Sequence, residues 1–413
     1  MLAEVMFYGG LLVSLVIGFV YFRDLGDVSQ MILKVKRDDT LRFIRNEYKY
    51  AAIGLAALGI MLIGHLLGGG PGWLMFMGLP FVTFIVLFLY LFPWVWVHLG
   101  LRNQQNTAKY YPIAEARDWV HPTASVVVIE NNGHARAHPD AQIMRPHLAG
   151  DDKGLGGEDV IMTYCAMANL GQGYAPSIEG ERLELEVLAQ HGNNLILRDK
   201  STNEPIQHIY GFRERDNDPS ADGNACPLQP QSVMKAWPTF RMTFRGFQKA
   251  YPEGEVFLNK PASNPILRLL DMATEIVFGW GISRQHQEAA PVMDNMSRSD
   301  DRLPNKTYVW GITIGNEAAC WTDDFVMDHG GLINTNVAGR DLVVCIDLKY
   351  ESLGVWYNDS GSPVTRCDFW GESDQGELTR VESLRAGVFW HVWAEFFPHT
   401  SINPVTVTEE AVA

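Results

Sequence analysis

The chain has 413 residues, of which 47% are apolar and 20% charged, and a formal net charge of −15. That length allows two or three domains, and the acidity excludes nucleic-acid binding, which needs a basic face. Five cysteines, Cys165, Cys226, Cys320, Cys345 and Cys367, form no CxxC pair and suit reduced thiols, with room for one or two bridges.

The N-terminal hundred residues read as membrane spans. No Asp, Glu, Lys or Arg falls between Glu4 and Arg23, nor in the 52 positions between Lys49 and Arg102. One helix over the second stretch would run about 78 Å against a bilayer core of about 30 Å, so the chain must fold back. It does so at GGGPG, Gly68 to Gly72, where glycines and a proline end one helix and start another. The sequence therefore predicts an anchor over 1–102. Its spans run from Val5 to Phe22, Tyr50 to Leu67 and Trp73 to His98, with an amphipathic loop over 23–49. A retained anchor is expected for the first span in preference to a cleaved signal peptide, since it lacks a basic n-region and a small-residue cleavage site. Phe92, Trp94 and Trp96 form an aromatic belt at the end of the third.

Arg23, Lys34, Lys36, Arg37, Arg42, Arg45 and Lys49 lie between spans one and two, and the other short flanks hold no Lys or Arg. The positive-inside rule puts that stretch in the cytoplasm of a prokaryote, and three spans put residues 103–413 there too. The apolar stretches hold only His65 and His98 as titratable groups, which is no carrier or channel chemistry. The anchor is expected to meet the lipid bilayer and other membrane-protein subunits.

The rest reads as β-rich. "ASVVVIENNGHARAH" is a strand, an Asn-Gly turn and a strand, and "LELEVLAQHGNNLILRD", "YVWGITIGNEAACW" and "DLVVCIDLKYESLGVWYND" repeat the pattern. Two blocks look like copies, one carrying His147 and Cys165, the other His329 and Cys345. Each later meets an aromatic segment ending in proline. The expected fold class is a membrane-anchored α+β protein: three N-terminal transmembrane helices followed by a duplicated, β-rich soluble domain. The copies are placed at 103–258 and 307–413, joined by a connector at 259–306. In the connector, Asn264 is a helix N-cap with Pro265 behind it. Ile266, Leu269, Leu270, Ala273, Ile276 and Val277 share one apolar face, which predicts a helix packed on the β domain or lying on the bilayer.

"NGHARAHP", His147 in the following loop, the Gly156-Gly157 turn, "VIMTYC" and "FWHVWAEFFPHT" together resemble a bacterial and archaeal family known as domain of unknown function 3179, over roughly residues 120 to 402. The three-span anchor and the middle helix are not part of its usual pattern. The resemblance implies a fold and an exported domain, the latter against the loop charges, and brings no activity. Members commonly read Thr-Tyr-Cys-Pro-Leu-Cys; here Ala168 replaces the second cysteine, so a two-sulfur site is lost or altered.

Cys165 closes a hydrophobic strand, where a cysteine is most simply buried filler. Two sharper readings compete. As a nucleophile it needs a base, for which His147 is placed, with Asp151 or Asp152 to orient it. As a metal ligand it combines with His147 and Met167, and these soft donors suit copper or zinc. His134 and His138, four apart on a strand, lie about 13 Å apart and cannot share one ion without a bend. No GxSxG elbow, Walker loop or dinucleotide fingerprint is present. Phe389, Trp390, Trp393, Phe396 and Phe397 predict an aromatic helix buried between the halves or forming a surface for a partner, on which His391 and Glu395 share a face. The expectation is a non-catalytic accessory or interaction subunit of a membrane complex; the alternative is a metal-binding or thiol-dependent protein using Cys165 and His147.

Overall fold

The computed structural model describes residues 1–25, 33–72, 78–216 and 224–406. Helix α1 spans Leu2–Asp24, α2 spans Arg37–Leu66, and α3 spans Gly78–Trp94 and runs on as a π-helical turn over Val95–Gly100. All three are long and apolar enough to cross a membrane. The start expected for the third span at Trp73 lies outside the described residues.

The loop expected over 23–49 is helix from Arg37 onward. Asp38 and Asp39 in its first turn favour a helix start there. Leu41, Phe43, Ile44 and Glu47 are buried, so this extra segment has a packing face of its own. The spans meet through small residues. A Cβ on Gly10 would lie 2.6 Å from Ala57 O and Met61 N. Ser14 Oγ donates to Gly54 O at 3.0 Å, and Tyr90 Oη of α3 donates to Ser14 O at 2.7 Å.

Beyond the anchor the chain forms a β-rich body of several sheets. Its first half runs β1 (Tyr110–Pro112), β2 (Ser125–Asn131), β3 (His134–Pro139), β4 (Leu148–Ala149), β5 (Ile161–Cys165), β6 (Leu170–Tyr174), β7 (Leu185–His191), β8 (Asn194–Asp199), β9 (Glu204–Gln207), β10 (Phe212–Arg213), β11 (Thr239–Thr243), α4 (Phe244–Ala250) and β12 (Glu255–Phe257). The expected hairpin is β2–β3, and Asn132 and Gly133 both hold the positive φ that its tight turn demands. Helix α5 (Pro265–Glu275) follows, capped by Asn264 Oδ1, which accepts from Ile266 N and Leu267 N. The second half holds β13 (Tyr308–Ile314), β14 (Glu317–Trp321), β15 (Leu332–Val337), β16 (Arg340–Asp347), β17 (Ser352–Tyr357), β18 (Thr379–Arg380), β19 (Arg385–Phe389), α6 (Trp390–Phe396) and β20 (Ser401–Ile402).

Two sheets have one plan. The first is ordered β1-β12-β3-β2-β11 and the second β20-β14-β13-β19. In each, a central hairpin pairs antiparallel on one side with a strand that runs straight into a helix, β11 into α4 or β19 into α6. On its other side the hairpin takes a parallel strand that follows that helix, β12 or β20. Sheets β10-β9-β8-β7 and β15-β16-β17-β18, the ladder β4-β5-β6 and two short two-stranded ladders make up the rest of the described body. As expected, α6 is buried throughout.

Helix α5 packs the opposite way from the soluble-protein pattern. Its buried residues are the polar Asp271 and Thr274, while Ile266 (77% exposed), Leu269 (68%), Met272 (62%) and, just beyond, Ile276 (63%) and Trp280 (65%) face outward. Asp271 explains the inversion. Its carboxylate takes Arg102 Nη1 at 2.6 Å and Ala262 N at 2.7 Å and pairs with Arg145, which also reaches Thr274 Oγ1 at 3.0 Å. The helix therefore docks by its charged face at the foot of α3, where Trp96 stacks on Phe278 with ring centroids 6.2 Å apart.

Candidate functional site at the membrane junction

Strand β5 alternates, so Thr163 and Cys165 share a face and Tyr164 points the other way. His147 precedes β4, and its carbonyl accepts from Tyr164 N at 2.7 Å. Its φ of 69° is a left-handed value that few residues with a Cβ adopt and that recurs at functional sites. With that backbone, the imidazole lies on the side of Thr163 and Cys165. His147, Cys165 and Met167 then line one cavity of about 60 Å³, closed by Trp96 of the third span, Gln190 of β7 and Phe278.

The three predicted residues are thus gathered at one place, where the end of a span, the β body and the turn after α5 meet. The His147 ring stands edge-on to Phe278 at 5.2 Å, and its Nδ1 is sealed from solvent without a hydrogen-bond partner. Burial, reinforced by the Arg145 charge, pushes His147 down to about 4, so the imidazole is neutral at pH 7. His208 lies close to His147 and to the Arg385 charge. It is pushed down to about 3, chiefly by burial, and bonds Thr163 Oγ1 through Nε2 at 2.8 Å. Cys165 is 3% exposed, and its Sγ donates to Asn193 O at 3.5 Å.

Other expected partners go elsewhere. Asp151 does not orient His147; it is held by Arg136 at 3.1 and 3.0 Å, and Asp152 is exposed. His134 is exposed at the start of β3, while His138 is buried, bonds Tyr110 Oη at 3.2 Å and is pushed down to about 3, first by burial and then by Arg136. His391 and Glu395 also part: His391 Nδ1 bonds Asn305 O at 2.7 Å, and Glu395 accepts from Asn224 and from Ser297 N at 2.8 Å. Among the described residues no three His, Cys, Asp or Glu side chains converge as a metal site.

Sequence reasoning missed the cluster beside this cavity. Arg198 of β8 is fully buried, donating through Nη1 to Glu47 of α2 at 2.8 Å and through Nε to Glu186 of β7 at 2.7 Å. Tyr21 Oη of α1 donates to Glu47 at 2.6 Å. His98, at the end of the third span, lies between the two carboxylates at 3.6 and 3.5 Å. Each span sends polar side chains to this point: Tyr21 from α1, Glu47 and Tyr48 from α2, and His98 from the third. His98 was visible as a boundary residue; Arg198 and Glu186 sat in ordinary alternating strands and gave no signal.

The body with these sheets matches one family, protein of unknown function (DUF3179), over residues 105–400. The chain belongs to that family. The DUF3179 region takes in His147, Cys165, Met167, Glu186 and Arg198 and leaves out all three spans. No curated protein and no solved structure matches the chain. The junction cavity is therefore built from both sources: Trp96 comes from the anchor, and His147, Cys165 and Met167 come from the DUF3179 region.

Proposed function

We propose that this protein is a membrane-anchored, non-catalytic accessory subunit that holds a DUF3179 body in one fixed attitude on the bilayer for other membrane-protein subunits. The observation that carries this reading is the inverted helix α5. Its polar face is pinned beside the foot of α3 by Asp271, and a row of large apolar side chains points outward next to the spans. Water does not stabilise such a face; lipid at the bilayer interface does. Together with the Arg198 cluster, this makes the anchor and body one piece. Two findings support an origin by duplication: the matching strand order and sense of the two hairpin-centred sheets, and the strand-to-helix step that each contains.

The basic N-terminal part of α2 packs on the body, with Arg37 paired to Glu214 and Arg45 to Glu204, so both lie on the same side of the membrane. We place that side in the cytoplasm of a prokaryote, on the loop charges. Extraction in native lipid discs followed by cross-linking and mass measurement tests the accessory role. A stoichiometric second membrane protein linked to the spans is expected; a lone chain surrounded only by lipid sinks it.

One observation favours a second reading, a soft-metal site for copper or zinc. Cys165, His147 and Met167 line one cavity, and a neutral imidazole nitrogen there has no partner. Elemental analysis of the protein in mild detergent decides it. Stoichiometric metal lost in both Cys165→Ala and His147→Ala supports the site, and metal-free protein removes it.

A further inference from the structure

The second half holds two thiols in contact. Strand β16 turns Cys345 inward among Val343, Trp356, Val364 and Leu378, and Cys367, half-buried on the returning segment, packs on the same cluster. Cys345 Sγ donates to Cys367 O at 3.0 Å, which sets the two side chains next to each other in that cluster. This nearness is imposed by the segment around Cys367. Asp374 accepts from Thr365 N at 2.9 Å and Arg366 N at 3.0 Å, Asp368 accepts from Trp370 N at 2.9 Å, and Asp347 accepts from Phe369 N at 2.9 Å. The other three cysteines are buried: Cys165 donates to Asn193 O, Cys226 lies against Phe396, and Cys320 is pushed up to about 12 by burial.

We infer that Cys345 and Cys367 are a redox-active dithiol that closes to a disulfide when a small external disulfide reaches it. The geometry assigns the roles. Cys367 is the sulfur an external reagent can touch. Cys367 hands its proton to the neighbouring Cys345 thiolate as its sulfur attacks the external disulfide, forming a mixed disulfide and releasing one external thiolate, which then takes that proton from Cys345. Cys345 then attacks Cys367 Sγ, the mixed bond breaks, and the second external thiolate leaves and takes a proton from solvent. Two electrons pass from the protein sulfurs to the external pair. Cys367 beside it holds Cys345 below its ordinary thiol value, while Cys345 and burial hold Cys367 above its own, so Cys345 accepts the Cys367 proton in the first step and makes the second attack.

The bond would lock a clamp between the halves. Phe369, two residues on from Cys367, packs among Phe240 and Tyr251 of the first half. Arg380 lies over Phe240, Trp356 and Phe369 and donates to Phe369 O at 2.6 Å. Closing the pair ties this bridge to β16 and restricts the unfolded chain, so the melting midpoint should rise by about 5 °C.

The test equilibrates the full chain in detergent with glutathione disulfide, then denatures, alkylates and maps peptides by mass. The expected result is a linked Cys345–Cys367 peptide lacking two hydrogens, with Cys165, Cys226 and Cys320 fully alkylated. In Cys345→Ala the reaction should stop with glutathione retained on Cys367, a signature that needs no unfolding comparison. A wild-type protein that retains glutathione on Cys367, or leaves both thiols as alkylatable as the other three, overturns the inference.

Discussion

Arg198 Nη1 donates to Glu47 Oε2 across 2.8 Å, joining the β body to the second span with both side chains fully buried. Such a pair gains little over a well-packed apolar substitute, but breaking it strands a charge. Arg198→Met leaves Glu47 and Glu186 facing each other and should cost about 3–5 kcal/mol. Adding Glu47→Leu and Glu186→Leu should recover most of that loss. Melting in detergent checks both, and a single variant as stable as wild type removes the cluster from the stability argument.

Acid should loosen the same junction. Burial alone would raise the Glu186 carboxyl, but hydrogen bonding from His98 and the Arg198 charge outweigh it and hold the group below the usual carboxylate range. A depressed folded value gives stability that is complete above the unfolded value of about 4.3 and is lost as pH falls through the folded value. The melting midpoint is expected to fall as the solution is taken below about pH 4.3. Glu186→Gln should start lower at neutral pH and show a shallower fall; parallel curves for the two proteins would contradict the assignment.

Packing of the first two spans depends on Gly10, where an added Cβ meets the α2 backbone at 2.6 Å. Gly10→Leu should cost about 1–3 kcal/mol by overpacking. Gly9→Leu is the control, because nothing lies within 4 Å of a Cβ there. Equal melting midpoints for the two variants would mean that α1 and α2 do not meet in this way.

Helix α5 should sit in lipid. Reconstituted into bilayers of brominated lipid, Trp280 should be quenched in a variant whose remaining tryptophans are accounted for by a Trp280→Phe control. Leu269→Glu and Met272→Glu together should reduce the quenching without lowering the melting midpoint, because both side chains are exposed. Unchanged quenching would mean that this face lies away from the bilayer.

Hairpins were legible because a turn such as Asn132-Gly133 states its own geometry, and the cap at Asn264 was legible for the same local reason. The spans were legible as charge-free runs. Placement of α5 was not: its periodicity marks an apolar face, but only the distant Arg102 and Arg145 decide that the polar face goes inward. The early start of α2 at Arg37 was hidden because its packing partner is remote in sequence. His147, Cys165 and Met167 were named from residue type, and their meeting depends on a left-handed backbone at His147 that no neighbouring glycine announces. The seven basic residues from Arg23 to Lys49 also read differently in three dimensions. Arg23, Lys34, Arg37, Arg42 and Arg45 each face a carboxylate, so part of that charge answers local acids.

The Arg198 junction also sets a schedule for synthesis. Tyr21, Glu47 and His98 leave the ribosome before their cation does, and 100 residues separate His98 from Arg198. At about 5–20 residues per second that gap lasts roughly 5–20 s. During it a bundle of three inserted helices carries the Glu47 carboxylate at its rim with no guanidinium to meet it. Maturation therefore finishes only when β7 and β8 arrive, and a nascent chain stalled before them would present an incomplete membrane protein to the cell's proteases.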